Sequence, residues 1–148
     1  MKNWMSVGIR YEKTIENGVT KKVNETILLD AMSFTEAEAR AIEEMRPFIS
    51  GEFSVQSIKK ESYEEVMTCN RPEADIWYKV KFAYITLDEK SGNEKKTYSN
   101  MMIQSENTAN AEKDFNEVMK GTMSDYEVVA VQKTKVEDVF FYQPDEAE

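Results

Sequence analysis

The chain has 148 residues, 41% hydrophobic and 32% charged, with a formal net charge of −9 and a sequence pI near 4.7. That is the profile of a soluble folded protein rather than a disordered one, and so large an excess of acid leaves no electrostatic footprint for duplex DNA or an anionic membrane. No stretch approaches the roughly 20 apolar residues that crossing a bilayer requires.

The chemical inventory is narrow. There is no histidine, which removes Ser-His-Asp and Cys-His nucleophile systems, the commonest general base and every histidine metal site. The single Cys69 makes neither an internal disulfide nor a thiolate zinc or iron-sulfur site. Neither a P-loop nor a dinucleotide-binding glycine motif occurs, so no cofactor is expected. Carboxylates are plentiful, but Asp30, Asp75, Asp88, Asp114, Asp125 and Asp138 share no motif. We therefore expect no enzyme and no metal, the alternative being a carboxylate site that uses a divalent cation. Met1-Lys2-Asn3-Trp4-Met5-Ser6 carries one charge and no apolar run behind it. With the lone cysteine, this leads us to expect a cytoplasmic protein without a signal peptide.

In chain order, residues Trp4 to Lys13 alternate Val7, Ile9 and Tyr11 against Ser6, Gly8 and Arg10, a strand with one buried and one wet face. Asn17-Gly18 accepts positive φ and closes a hairpin onto a second strand from about Lys22 to Asp30. Ser33-Phe34-Thr35-Glu36 is a capping box. It opens a helix that lays Ala37, Ala41, Met45 and Phe48 on the sheet and leaves Glu36, Glu38, Glu43 and Glu44 largely in water. Pro47 and Gly51 end that region, a return strand runs from Glu52 to Lys60, and Tyr63, Glu65 and Met67 form a short alternating run. After Asn70-Arg71-Pro72 the order begins again. A strand carries Val80, Phe82 and Tyr84, and Ser91-Gly92-Asn93 turns into a strand from about Lys96 to Gln104. Asn107 caps a helix with Ala111, Phe115, Val118 and Met119 on its buried stripe, which Gly121 ends. A return strand from Tyr126 to Lys133 and the run Val136, Asp138, Phe140 complete the second pass.

The second pass copies the first. Trp4, Val7 and Tyr11 match Trp77, Val80 and Tyr84 at a spacing of 73. One inserted residue makes it 74 for Gly18 with Gly92, Ala37-Glu38 with Ala111-Glu112 and Met45 with Met119. It is 73 again for Val55 with Val128, Lys60 with Lys133 and Val66 with Val139. The expected fold is α+β: an internally duplicated β-β-α-β(-β) unit in mainly antiparallel sheet, forming a single pseudo-twofold symmetric domain over residues 1–148. Its repeats are 4–67 and 77–140, joined by a linker at 68–76 and followed by an acidic tail at 143–148. Each half is near the size where a single core becomes marginal, so the two are expected to share one. They can join edge to edge in one continuous sheet or stack face to face. The first is favoured because it covers exposed edges.

Three constellations are candidate ligand sites. Trp4 and Trp77 open equivalent strands, with Arg10 in one half and Lys79 and Lys81 in the other; they either stack a base beside a cation or, the favoured reading, fill a seam between the halves. Lys21-Lys22 and Lys95-Lys96, with Lys13 and Lys90, sit at the hairpins as anion sites or, more simply, as solvated tips. Lys59-Lys60 and Lys133 with Lys135 occupy equivalent strand ends. If an axis brought Lys60 and Lys133 together, they would form a cationic cleft.

Ser33-Phe34-Thr35-Glu36-Ala37-Glu38-Ala39, Ile49-Ser50-Gly51-Glu52-Phe53, Arg10-Tyr11-Glu12-Lys13, Trp77-Tyr78-Lys79 and Gly121-Thr122-Met123-Ser124-Asp125-Tyr126-Glu127 carry a further signal. On these strings the chain resembles, over nearly its full length, a family of small uncharacterised proteins from Bacteroidetes and their phages. The resemblance implies a cytoplasmic single-domain accessory protein without an assigned activity, and it supplies no site residues. The expected function is a non-catalytic interaction protein that docks on a host or phage protein. The alternative is a small-molecule binder that sequesters a nucleotide-type signal at the interface of the two repeats.

Overall fold

The computed structural model describes residues 3–142, so the predicted acidic tail at 143–148 lies outside the described residues. The elements are β1 (Trp4–Thr14), β2 (Thr20–Asp30), α1 (Phe34–Met45), β3 (Phe53–Glu61), β4 (Glu65–Met67), β5 (Ile76–Leu87), β6 (Glu94–Ser105), α2 (Thr108–Lys120), β7 (Tyr126–Lys133) and β8 (Val136–Phe140). The class is α+β, with two mainly antiparallel sheets and two helices.

The strands form two separate four-stranded sheets, ordered β3-β1-β2-β8 and β4-β6-β5-β7. This differs from the continuous sheet favoured from sequence. The reason lies in the short strands. β8 lies parallel on β2, and β4 lies parallel on β6. Each lies at one edge of its sheet and covers the side of β2 or β6 that would otherwise be an exposed edge. Each short strand therefore leaves the sheet of the return strand before it and joins the other sheet. By contacts the chain divides accordingly into two compact units, the first made of the residues through Glu61 with those from Lys135, the second of Ser62–Thr134.

Within each unit the sequence signals act as expected. Gly18 and Gly92 take φ of 77° and 75° in the hairpin turns, where a side chain would be strained. Ser33 Oγ accepts from the Glu36 amide at 3.1 Å, and Asn107 Oδ1 accepts from the Asn110 amide at 2.8 Å, so each helix begins with a capped donor. In the first unit Met5, Val7 and Ile9 of β1 and Ile27 and Leu29 of β2 pack against Ala37, Ala41 and Met45 of α1. In the second, Val80 and Phe82 of β5 and Met101 and Ile103 of β6 pack against Phe115 and Met119 of α2. These are two clusters, one per unit, each formed where a sheet carries its own helix on one face. Burying a side chain of this size contributes about 1.5–3 kcal/mol relative to leaving it in water.

Two placements depart from the periodicity. Phe48, expected on the buried stripe, is 70% exposed, and Ile49 is buried in its place. Pro47 turns Arg46–Phe48 into a 3₁₀ turn, whose tighter winding rotates Phe48 off the sheet. Phe53, Val55, Ile58, Tyr126, Val128 and Val131 pack against the cores but are only half buried, since β3 and β7 are edge strands with one neighbour each.

Both edge strands carry a bulge. The pairing of β1 with β3 slips between Gly8 and Ile9, leaving Gln56 extra, and that of β5 with β7 slips between Lys81 and Phe82, leaving Val129 extra. Bulges bend an edge away from further pairing. Gly8 is needed for closeness: a Cβ there would stand 2.6 Å from Ser57 Oγ.

Candidate functional site

Each residue singled out from sequence has a definite place. Trp4 and Trp77 are 5% and 4% exposed, so neither presents a face on which a base could stack from solvent. Trp4 meets Phe141 edge-on at 5.4 Å between ring centroids. The Trp77 carbonyl accepts from the amide and the hydroxyl of Thr134 at 2.9 and 2.8 Å. Arg10 is exposed six positions along β1 from Trp4, roughly 20 Å at the strand rise, too far for both to touch one base and its phosphate. Lys79 is half buried opposite Met102 and Gln132. Lys81 is exposed, its Nζ 5.5 Å from the centre of the Tyr98 ring. Lys60 is exposed on β3 opposite Met5, in the first unit, and Lys133 is exposed on β7 opposite Tyr78, in the second.

Arg10 belongs to a groove of about 600 Å³ between the first hairpin and the loop before β3, lined also by Tyr11, Glu12, Lys22, Gly51 and Phe53. Glu12 and Lys22 are cross-strand partners here, and the Tyr11 hydroxyl donates to Glu25 at 2.5 Å. That bond and partial burial push the Tyr11 phenol up to about 12. The groove mixes cations, carboxylates and one fixed aromatic edge.

A second groove of about 600 Å³ runs between α1 and β8. Its helix wall is Arg40, Glu43 and Glu44, and its strand wall is Val139, Phe140, Phe141 and Tyr142. Helical periodicity places the glutamates: with Ala37, Ala41 and Met45 turned to the core, Glu43 faces outward and is exposed, while Glu44, three residues on from Ala41, flanks the stripe and is half buried. Arg40 is held by Asp30, donating to its backbone carbonyl and, at 3.1 Å, to Oδ1, while its guanidinium lies 5.5 Å from the centre of the Tyr142 ring. Asp30 is 3% exposed, and its Oδ1 also accepts from the Tyr142 amide at 2.6 Å. Since Arg40 is neutralised by a buried partner, the groove is lined by two carboxylates, Glu43 exposed and Glu44 half buried, beside aromatic carbon.

In the second unit the former linker is clamped. Arg71 Nε and Nη2 donate to Glu106 at 2.6 and 2.7 Å, and Nη2 donates to Asp114 at 2.6 Å, with the buried Ser105 hydroxyl donating to both carboxylates. The forked guanidinium suits this bidentate geometry as an ammonium does not. The bond from Arg71 holds the Glu106 carboxyl down to about 2, and the two acids hold the Arg71 proton more firmly than usual. Beside it the Cys69 amide donates to Gln104 Oε1 at 3.0 Å, and its Sγ accepts from the Arg71 amide at 3.5 Å. Cys69 is half buried in this fastening, in a pocket of about 320 Å³.

A family model described as a domain of unknown function, DUF4494, matches residues 3–142. The chain belongs to the DUF4494 family. No curated protein and no solved structure matches it. The DUF4494 match spans all the described elements, so both grooves and the Arg71 clamp lie inside the family domain. Among the described residues, no group of three or more histidine, cysteine, aspartate or glutamate side chains is placed to hold a metal ion, and no helix is long and apolar enough to cross a membrane.

Sequence reasoning missed Asp30, Arg40, Tyr142, Arg71, Glu106 and Asp114. Asp30 sits at the end of an apolar run, and nothing in its own strand names a partner 112 positions away.

Proposed function

We propose that this DUF4494 domain is a non-catalytic binding protein that docks on a protein partner through the groove between α1 and β8. The observation that carries the reading is the pairing of Glu43 and Glu44 with the aromatic wall Phe140, Phe141 and Tyr142, beside an arginine already neutralised by Asp30. The complementary partner is a lysine- or arginine-bearing segment. The lack of histidine and the single cysteine support a role without catalysis. The test compares capture from a bacterial lysate by the wild-type chain and by Glu43→Lys/Glu44→Lys, with melting temperatures as the folding control. A protein retained near one-to-one by the wild type and lost from the reversed variant supports the reading. No stoichiometric capture, or equal capture by both, overturns it.

A second reading, a nucleotide-type small-molecule binder, is favoured by one observation: Arg10, Lys22 and Tyr11 line the same hairpin groove. A thermal shift across a nucleotide panel tests it, since a ligand at 100 times its Kd adds about 2.7 kcal/mol. No shift for any nucleotide sinks this reading.

We also read the chain as an internal duplication of bacterial or phage accessory origin. The two sheets share one order of return, first, second and short strand, the same helix caps and the same bulge positions.

A further inference from the structure

The first sheet ends in a strand that its own segment does not supply. β1, β2, α1 and β3 are contiguous in sequence, whereas β8 follows the whole of Ser62–Thr134, which belongs to the other unit. Between β7, in one sheet, and β8, in the other, lie only Thr134 and Lys135. Thr134 is fixed by its two bonds to the Trp77 carbonyl, so the turn into the other sheet falls on the exposed Lys135.

β8 pairs with β2 through Thr26 with Val136, Ile27 with Asp138, Leu28 with Val139 and Leu29 with Phe140, Phe140 packs on the first core, Phe141 meets Trp4, and the Tyr142 amide bonds Asp30. None of these depends on β8 belonging to the same chain. A β8 from a second copy makes the same pairs, so chain connection alone decides between the closed monomer and an exchanged dimer. The connection between β7 and β8 is short, two residues, and short connections between a strand and the sheet it joins are the places where strand exchange arises.

We propose that the slot along β2 accepts β8 from a second copy of this chain, giving a strand-exchanged dimer in which each copy completes the other's first sheet. The inference is independent of the docking reading. If both hold, the acidic wall of the groove comes from one copy and the aromatic wall from the other.

Complementary single cysteines test it. In a Cys69→Ala background, one chain carries Thr26→Cys and a second carries Val136→Cys, positions that are direct partners in the parallel pair. Neither chain can close this pair by itself. The two are unfolded together, refolded over a range of concentrations and oxidised with a disulfide reagent. The expected result is a covalent heterodimer on a non-reducing gel whose yield rises with concentration and reaches half on the order of millimolar chain, the effective concentration of a short tether. Deleting Lys135 should raise that yield. Light scattering on the wild-type chain provides a measurement free of substitutions, and its mass should rise toward the dimer over the same range. Heterodimer no more abundant than the homodimer each chain forms alone, or a monomeric wild-type mass throughout, overturns the proposal.

Discussion

The carboxylate of Asp30 takes the backbone amide of Tyr142 at 2.6 Å, fastening the residues after β8 to the end of β2. In the other sheet Gln104 takes the Cys69 amide at 3.0 Å, fastening the residues after β4 to the end of β6. Asp30 has a further task in neutralising Arg40, which is mostly buried. Asp30→Ala should therefore cost roughly 3–5 kcal/mol, as when one member of a buried pair is removed. Asp30→Asn keeps an acceptor for the amide, as Gln104 does by nature, and should cost clearly less. Urea melts of both variants check this; equal losses would show that the ion pair, not the amide bond, governs the site.

The helix stripes separate core from surface. Phe115 is fully buried, and Phe115→Ala should destabilise by roughly 3–5 kcal/mol, with Met45→Ala at about 2–5. Phe48→Ala, at a residue 70% exposed, should stay within about 0.5 kcal/mol. Chemical denaturation of the three variants gives the comparison, and a costly Phe48→Ala would restore Phe48 to the buried stripe.

Gly8 and Ser57 should be coupled. A methyl at position 8 meets the Ser57 hydroxyl at 2.6 Å but no other atom nearer than 3.9 Å. In a Ser57→Ala background, Gly8→Ala should stabilise by about 0.4–1 kcal/mol by restricting the unfolded chain. In the wild-type background the clash should remove part or all of that gain. Additive effects in the double-mutant cycle would mean that the close approach is not made.

Tyr11 and Tyr84 should ionise late. Tyr11 is pushed up to about 12 chiefly by its bond to Glu25, and Tyr84 to about 12 by burial and its bond to Glu64. Because the folded values lie above the ordinary 10.0, the stabilisation is complete below pH 10.0 and is lost as pH rises toward 12. Near-ultraviolet titration of the wild type should show a late phase that Tyr11→Phe and Tyr84→Phe each reduce. A titration without a late phase, or one that neither variant changes, would contradict it.

Glu106 works in the opposite direction. Its carboxyl is held down to about 2 from an ordinary 4.5 by Arg71, so its stabilisation is present above pH 4.5 and is lost as pH falls toward 2. Glu106→Gln should melt below the wild type at neutral pH, and the gap should close as the solution is acidified through that window. A gap that does not change with pH would place the effect in packing rather than in charge.

What the sequence by itself determined was local. Alternation in β1 and β5, glycine in the hairpin turns and the caps Ser33 and Asn107 act over a few residues, and each specifies its element without reference to the rest of the chain. Those elements suffice for the α+β class. Phe48 marks the limit of periodicity, because a single proline changed the winding that the pattern assumed. Only the tertiary structure decided the sheet to which β4 and β8 belong, since Glu65–Met67 and Val136–Phe140 alternate in the same way beside either partner. Their addresses are set by Gln104 and Asp30, through backbone amides that any residue possesses. The same holds for the groove. Glu43 and Glu44 were legible as a solvated helix face, but their meeting with Phe140, Phe141 and Tyr142 depends on the strand that crosses from one sheet to the other.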